Sequence, residues 1–271
     1  MVLQKFSRRV FLLLVAVMAT GLVLSMIMGT ARAKNAPAKR CVVVWSEGTA
    51  PKNVYPNDIS GAIAEGLKEL KGWEVVVANL SDPNQGLPDE LLKRTDVLIW
   101  WGHKKHEQVK DELVDKIVRR VKEEGMGFIS LHSSHFAKPN KKLMGTPCSW
   151  GAYVSDSNTL KISVKDPNHP IARGVGEFTI THNERYSEPY AVPPPTAVVF
   201  EGTYTLNNGG PASPKGSAEA STDTSRQGLT WEIGKGKVFY FQLGHETNPV
   251  FFDPNVRRIM SNAVEWAAPP F

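Results

Sequence analysis

Three apolar segments of this chain each end on a histidine, and a fourth ends on a glutamate. The segments VLIWWGH, FISLH and VFYFQLGH end at His103, His132 and His245, and VVVWSE ends at Glu47. Short continuous apolar runs are typical of strands that are buried on both faces of a parallel sheet. Because parallel strands end at one edge of a sheet, where ligands bind, we expect these four side chains to lie close together.

Amphipathic segments lie between these runs, as in repeated β–α–β units. Residues 107–123 are the clearest helix, because apolar residues recur every four positions with charge on the opposite face. Asn57 or Asp58 is predicted to cap an earlier helix, and Asp253 a closing helix with Pro254 at its first position. The pattern predicts an α/β fold, with a parallel sheet and helices on both faces. Strands are predicted in this part at 41–45, 73–80, 96–101 and 128–131.

Beyond about residue 150, the pattern changes to strand-like segments joined by turns. Residues 207–226 are polar, rich in glycine and serine and without a period, so they are predicted to form a mobile loop without a core. The sequence therefore predicts one domain over 41–268, with a β-rich insertion before the last strand and helix. Strands are predicted in this part at 159–166, 196–202, 229–233 and 237–243.

Residues 1–33 have the features of an export signal. A basic segment at 5–9 precedes the apolar stretch 11–28, and ARA at 31–33 is a small-x-small cleavage site. The segment SRRVFL at 7–12 resembles a twin-arginine export motif, which predicts a periplasmic or otherwise exported protein. The alternative is an uncut membrane anchor, because the apolar stretch is just long enough to span a bilayer.

The net charge of +5 would suit a nucleic-acid partner, but residues 1–33 contribute +4 of it. The rest of the chain carries +1, which leaves no basic footprint for phosphate binding. We therefore expect a small-molecule partner and no nucleic acid. The two cysteines, Cys41 and Cys148, either pair in an oxidising compartment or stay as buried thiols, and both alternatives are open.

Histidines other than His169 gather near the predicted strand ends. Two lie in GHKKH, two in HSSH, one in THNERYSEPY and one in GHETNP. Neutral imidazole is the commonest transition-metal ligand, and three such ligands with an open position suit a catalytic zinc. We therefore predict a divalent metal, with zinc as the first choice, held by His103, His132 and His245. A hydrogen-bonded polar cleft without metal is the alternative.

Carboxylates and aromatic residues near the same edge are predicted to complete the site. Glu184 and Glu188 are expected to move protons as general base or acid, and His135 is either a further catalytic residue or a helix cap. Ser133 is a competing nucleophile, although HSSH lacks the glycines of a nucleophile elbow. Four more residues are expected to contact the substrate, namely Glu47, Trp101, Tyr186 and Glu246.

Several stretches between residues 41 and 268 resemble the ThuA-like family, which is named for a trehalose-utilisation protein. They include VVVWSEG, TDVLIWWGHKKHEQV, LHSSH, ERYSEPY and LGHETNP. The resemblance implies a class I glutamine amidotransferase-like fold, related to flavodoxin, without the amidotransferase cysteine. It also implies sugar catabolism alongside dehydrogenases that make 3-keto sugars. Many members carry a histidine shortly after the glutamate of the first strand, and this chain has none after Glu47. The resemblance matches five residues to family positions, namely His103, His132, His245, Glu184 and Glu188.

These observations lead to one expected function and one alternative. The expected function is an exported, metal-assisted hydrolase, lyase or isomerase that moves a proton on a trehalose-related or 3-keto sugar. The alternative is a non-catalytic sugar-binding or accessory protein on the same fold. The sequence leaves open the sugar, the oligomeric state, with a homo-oligomer as one alternative, and whether His106 and His182 join the site.

Overall fold

The computed structural model describes residues 39–206 and 221–270 of the chain. Within these residues, nine strands form one sheet. The predicted export signal and residues 207–220 of the predicted loop lie outside the described part. The strands are β1 (Arg40–Ser46), β2 (Trp73–Asn79), β3 (Val97–Trp101), β4 (Gly127–Leu131), β5 (Ala152–Val164), β6 (Phe178–Ser187), β7 (Ala197–Leu206), β8 (Ser221–Ile233) and β9 (Gly236–Phe241).

Five strands, in the order β2, β1, β3, β4 and β9, are parallel neighbours. This flavodoxin-like order confirms the predicted class I glutamine amidotransferase-like sheet. The chain runs outward from β1 to β2 and then returns to β3, so the order reverses between β1 and β3. In folds of this type, the ligand crevice lies beyond the carboxyl ends of the strands at such a reversal.

Helices cover both faces of the sheet, as predicted. Ile59 of α1 and Ile259 of α5 belong to the apolar core on one face, whereas Ile117 of α3 and Leu143 of α4 belong to the core on the other. Strands β3 and β4 are buried throughout because both of their faces are covered. The helices are α1 (Asp58–Gly66), α2 (Asp89–Arg94), α3 (Asp111–Glu124), α4 (Lys138–Met144) and α5 (Pro254–Ala267).

The two predicted helix caps have different outcomes. Asp253 Oδ1 accepts hydrogen bonds from the backbone N–H groups of Asn255, at 2.8 Å, and Val256, at 3.2 Å, so the cap of α5 is confirmed. Asn57 occupies the predicted N-cap position of α1, but its side chain makes no cap hydrogen bond. The Asp58 carboxylate instead accepts hydrogen bonds from Ser46 Oγ and the Ala50 backbone, which fixes the chain after β1.

Antiparallel strands extend the sheet beyond β9 in the order β8, β7, β5 and β6. The predicted β-rich insertion is therefore present, but three details differ. Strand β5 begins at Ala152, seven residues before the predicted start. The sequence pattern does not predict β6, because the segment FTITHNERYS is mostly polar. Residues 221–226, which were predicted as part of a loop, begin β8, because their threonine- and serine-rich sequence pairs with β7, for instance Thr203 with Thr224.

Two further findings concern the cysteines and the membrane. Cys41 and Cys148 are both buried and free, so the alternative of two buried thiols is the one observed. In residues 39–206 and 221–270, no helix combines the length and the apolar character needed to cross a bilayer.

Candidate active site

Three histidines converge beyond the carboxyl ends of the central strands, as the strand pattern predicts. His103 follows β3, His132 follows β4 and His245 follows β9. The ring centres of His103 and His245 are 5.2 Å apart, and those of His132 and His245 are 5.8 Å apart, both edge to face. His245 therefore joins His103 and His132 in one cluster, although it lies more than 100 positions from either in the sequence, because parallel strands end at the same edge of the sheet.

His132 occupies a strained turn between β4 and the short 3₁₀ turn at His132–Phe136. Its φ is 47°, in the left-handed region that costs a residue other than glycine about 1–3 kcal/mol. A nucleophile occupies such a strand-to-helix turn in α/β hydrolases, whereas here an imidazole does. The approach of Gly244 is so close that a Cβ there would lie 3.2 Å from the Cβ of His132.

Both ring nitrogens of His132 face hydrogen-bond acceptors. Nδ1 is 2.8 Å from the backbone oxygen of Gln242, and Nε2 is 2.7 Å from Oε2 of Glu184. Since a backbone carbonyl only accepts, Nδ1 donates to Gln242, and Nε2 faces the carboxylate of Glu184. The ring is fully buried and stacks on Trp101, with centres 5.7 Å apart. Both nitrogens of His132 are therefore engaged within the protein.

Glu184 lies at the centre of the hydrogen-bond network. Its Oε1 accepts a hydrogen bond from the hydroxyl of Tyr153 at 2.7 Å. Its Oε2, which also contacts His132, accepts one from the hydroxyl of Tyr186 at 3.2 Å. Burial raises the pKa of Glu184, but hydrogen bonds from His132 and Tyr153 and the charges of His132 and His245 outweigh it and lower the pKa to about 2. The carboxylate is therefore ionised at neutral pH and is a weak base.

His103 is a neutral imidazole beside His132 and Glu184. Its Nδ1 is 2.7 Å from Oγ of Ser133, and its Nε2 is 3.8 Å from Oε1 of Glu246, beyond hydrogen-bond distance. Burial, together with the charges of His132 and Lys104, lowers its pKa to about 4, against an opposing effect of Glu246. If Nδ1 donates to Ser133, Nε2 keeps a free lone pair.

His245 is held in the opposite tautomer. The backbone N–H of Thr247 points at Nδ1 from 3.3 Å, and the Thr247 hydroxyl lies 2.6 Å from the same nitrogen. Nδ1 therefore accepts, and the ring hydrogen sits on Nε2, which is 3.4 Å from Oε1 of Glu184. Burial lowers the pKa of His245, and the nearby Glu184 opposes this effect.

A cavity of about 430 Å³ lies beside this cluster. Its volume is within the range of small-molecule sites, about 300–1,000 Å³. His106 and His135 line it, whereas His182 is exposed on β6 and does not. The lining also includes His103, Tyr153, Glu184 and Tyr186.

His135 is buried in the cavity wall. Its Nδ1 hydrogen donates to the backbone oxygen of Cys148 at 2.7 Å, so the lone pair is on Nε2. Nε2 is buried and has no hydrogen-bond partner among the described residues. Burial is the main cause that lowers the pKa of His135 to about 3, so the ring is neutral. This placement suits substrate contact rather than a helix cap.

The two predicted substrate-binding carboxylates lie behind the cavity rather than in its lining. Glu47 is buried, and its Oε2 accepts from the backbone N–H groups of Lys104, at 2.7 Å, and Lys105, at 2.8 Å. Glu246 is also buried, and its Oε1 accepts from Nζ of Lys104. Both carboxylates therefore fix the loop that carries His103, and neither lines the cavity. Oε1 of Glu47 and Oε2 of Glu246 are buried and have no hydrogen-bond partner among the described residues.

Two further predicted roles are not supported by the placement of the side chains. Trp101 is fully buried behind His132, so it has no surface for a substrate. Glu188 is held by Arg226, whose Nε and Nη2 donate at 2.7 and 2.8 Å, and by the Tyr190 N–H, and it does not line the cavity. Burial raises the pKa of Glu188, but the bonds from Arg226 outweigh it and lower the pKa. Its carboxylate stabilises the chain after β6.

The arrangement does not fit the predicted zinc. In the described part of the chain, no group of three or more His, Cys, Asp or Glu side chains has a geometry that could hold a metal ion. The reason is visible at His132, because its two nitrogens are directed to Gln242 and Glu184 instead of to a common point. The metal therefore stays a prediction that the geometry does not support.

Sequence reasoning missed three contacts that shape the site. The sequence predicts Ser133 only as a competing nucleophile, and it does not predict that the Ser133 hydroxyl contacts His103. Tyr153 lies in a segment with no predicted element, and only the pairing of β5 with β6 brings it opposite Tyr186. The backbone oxygen of Gln242, which fixes His132, has no sequence signal at all.

Comparison with known proteins places the chain in a family. The family profile described as trehalose utilisation, ThuA, matches residues 41–267, which include the whole histidine cluster. The chain belongs to the ThuA family. No curated protein sequence matches this ThuA-family chain.

Solved structures share the fold of this ThuA-family protein. A ThuA-like protein from Bacteroides uniformis has a TM-score of 0.58 and 17% identity, and the match covers 87% of this chain and 94% of that one. A ThuA-like protein from Parabacteroides merdae has a TM-score of 0.55 and 13% identity, and the match covers 86% of this chain and 90% of that one. A cytoplasmic protein from Salmonella typhimurium has a TM-score of 0.56 and 13% identity, and the match covers 84% of this chain and 99% of that one. At these identities, the likeness concerns the fold alone.

Proposed function

We propose that this ThuA-family protein is an acid–base enzyme that moves a proton on a 3-keto sugar or a related sugar derivative. One observation carries the proposal, namely two imidazole rings that lie side by side beyond the ends of β3 and β9, with ring centres 5.2 Å apart. In the tautomer of His103 in which Nδ1 donates to Ser133, Nε2 offers a lone pair, whereas His245, whose Nδ1 accepts from Thr247, offers the hydrogen of Nε2. Acid–base catalysis needs such an acceptor and donor within reach of one substrate.

In the proposed reaction, Nε2 of His103 removes the proton from the carbon next to the ketone, while the Nε2 hydrogen of His245 forms a hydrogen bond to the oxygen that becomes the enolate. For isomerisation, His103 returns its proton to the former carbonyl carbon, and the neighbouring hydroxyl passes its proton to the enolate oxygen, so that the ketone moves to the neighbouring carbon. For elimination, the enolate re-forms the carbonyl and expels the glycosidic oxygen from the β carbon, and His103 gives its proton to that oxygen.

Glu184 and His132 support these two histidines without taking the proton themselves. Glu184, with a pKa of about 2, is a weaker base than His103, with a pKa of about 4. Its Oε1 lies 3.4 Å from Nε2 of His245, so the carboxylate orients that ring. Glu184, which His132 holds in place, therefore positions the acid.

Hydrogen–deuterium exchange tests this proposal directly. Methyl 3-keto-α-glucopyranoside in D₂O should exchange the hydrogen next to its ketone faster with the protein than without it, as followed by proton NMR. His103→Gln should lower the catalysed rate by a factor of about 10²–10⁴, the usual contribution of a general base. His182→Gln is the matched control, because His182 is exposed and outside the cavity. Absence of catalysed exchange, with binding retained, would favour the non-catalytic alternative.

A second candidate is a serine hydrolase, favoured by the 2.7 Å contact between Ser133 Oγ and His103 Nδ1. It requires the other tautomer of His103, with the Ser133 hydroxyl donating to Nδ1 and the Nε2 hydrogen facing Glu246. Oγ would add to the carbonyl carbon of an ester, amide or lactone while its proton passes to Nδ1. The C–O or C–N bond would then break, the alcohol or amine would leave with the proton from Nδ1, and water would hydrolyse the acyl-serine to the free acid and serine.

Ser133→Ala separates the two candidates. The acid–base enzyme should keep its exchange rate, because the methyl group removes only a partner of Nδ1. A serine hydrolase should lose its turnover of a sugar lactone or ester. Retained exchange together with unchanged lactone hydrolysis would remove the second candidate.

A further inference from the structure

Two exposed aromatic rings lie at the same cavity. Phe136 is 43% exposed and Tyr153 is 57% exposed, and both line the cavity beside His103. In the described part of the chain, Val77 is the third large apolar side chain that is exposed, and it lies on β2, outside the cavity. Single exposed apolar residues are ordinary, but two aromatic rings at one cavity mark a binding surface.

An unpaired polar atom lies next to these rings. The ring centre of His135 is 4.0 Å from that of Phe136, and His135 lines the same cavity. Its Nε2 carries a lone pair, is buried and has no partner among the described residues. An unsatisfied buried acceptor is unfavourable, so a ligand that donates a hydrogen bond there is stabilised.

The charges at the cavity exclude an anionic ligand. No lysine or arginine is among the described residues that line it, so a phosphate group would find no counter-charge. The carboxylate that does line it, Glu184, already accepts hydrogen bonds from His132, Tyr153 and Tyr186. The cavity therefore suits a neutral ligand that combines an apolar face with hydroxyl groups.

We infer that His135, Phe136 and Tyr153 form a subsite for the ring of an unphosphorylated pyranose. The C–H face of the ring stacks on the aromatic side chains, and a ring hydroxyl donates to Nε2 of His135. The inference rests on the proposed function, because it specifies which part of the sugar the cavity holds. It adds a specificity, since an open-chain polyol has the hydroxyls but lacks the flat apolar face.

Calorimetric titration tests the subsite without any turnover. Methyl α-D-glucopyranoside should bind, whereas sorbitol and glucose 6-phosphate should bind at least about tenfold more weakly, a difference of about 1.4 kcal/mol. Phe136→Ala should weaken pyranoside binding by about tenfold, which is within the range of one aromatic contact. Val77→Ala is the matched control, since that side chain is equally exposed, and it should bind like the parent. His135→Phe keeps a ring but removes the acceptor, and it should also weaken binding.

Each outcome bears on one proposal. Equal binding by the Phe136 and Val77 variants, or sorbitol binding as tightly as the pyranoside, would overturn the subsite. If that happens while exchange still depends on His103, the acid–base proposal stands alone. If the binding pattern holds but no exchange is catalysed, the subsite stands and the acid–base proposal fails.

Discussion

Nε2 of His132 lies 2.7 Å from Oε2 of Glu184, although 52 positions separate the two residues in the sequence. Both side chains are buried, and the other ring nitrogen of His132 is fixed by the backbone of Gln242. A buried polar pair is costly to break, because removal of one partner leaves the other unsatisfied. The pair therefore connects the end of β4 to β6, and His103 and His245 are the two histidines that we propose to exchange protons with a substrate.

Glu184→Gln should destabilise the protein and slow the proposed exchange. The variant removes the carboxylate that faces Nε2 of His132, and loss of the partner of a buried polar group costs about 1–3 kcal/mol. Urea unfolding and the exchange rate are the measurements. Glu188→Gln is the control from the same segment. Glu188 pairs with Arg226 at a half-exposed position, where an ion pair contributes about 0–1 kcal/mol to the free energy of unfolding. Equal losses in the two variants would contradict the central role of Glu184.

The acid limb of the pH–rate profile should lie near pH 4. His103 must be unprotonated to accept a proton, and its pKa is lowered to about 4, so kcat/KM should rise with pH through that region. Lys104→Met should move the limb to higher pH, because it removes a positive charge and frees the negative charge of Glu246. Lys105→Met is the neighbouring control. A limb near 6.5 in the parent would show that another group titrates.

Folding stability should fall as the pH drops from about 6.5 toward 4. The ordinary histidine pKa is 6.5, whereas burial lowers that of His103 to about 4 and that of His135 to about 3. Between these values the unfolded chain binds protons that the folded chain does not, so acid favours unfolding by up to about 1.4 kcal/mol per pH unit for each group. Urea unfolding at several pH values measures this slope.

His135→Asn is the variant that tests the slope. It removes one of the two buried histidines that resist protonation, so stability should depend less on pH between 4 and 6.5. His182→Gln, at an exposed position, should leave the slope as in the parent. An unchanged slope in the His135 variant would mean that this ring is protonated in the folded protein.

Metal analysis decides between the sequence prediction and the observed arrangement. The sequence predicts zinc on His103, His132 and His245, but both nitrogens of His132 are used by Gln242 and Glu184. We therefore expect protein purified without chelators or a metal-affinity tag to hold far less than one equivalent of metal. A full equivalent that is lost in a His103→Ala/His245→Ala double variant would require His132 to turn away from Glu184, and it would restore the metal mechanism.

The export signal is tested by fractionation of cells that express the full chain. The SRRVFL motif predicts transport, so the body of the protein should appear outside the cytoplasm with an N-terminus near Lys34. Substitution of both Arg8 and Arg9 by lysine should retain the uncut chain in the cytoplasm. Membrane-bound, uncut protein in the parent would instead favour the anchor. Processing that is unaffected by the substitutions would exclude the twin-arginine route.

The sequence by itself determined the fold and the location of the site. Short buried runs that alternate with amphipathic helices specify a parallel sheet, because burial on both faces leaves a plain apolar signature. Once the strands are parallel, the residues after β3, β4 and β9 have to meet at one edge. The strand pattern alone therefore places His103, His132 and His245 together.

Only the tertiary structure decided what each of these residues does. The role of a histidine depends on which atoms face its two nitrogens, and those atoms come from residues remote in sequence, such as Gln242 and Glu184 for His132. Glu184 and Glu188 look alike in ERYSEPY, but one meets His132 and the other meets Arg226. Apolar periodicity records burial, whereas hydrogen-bond partners are fixed to within a fraction of an ångström by packing, which periodicity does not record.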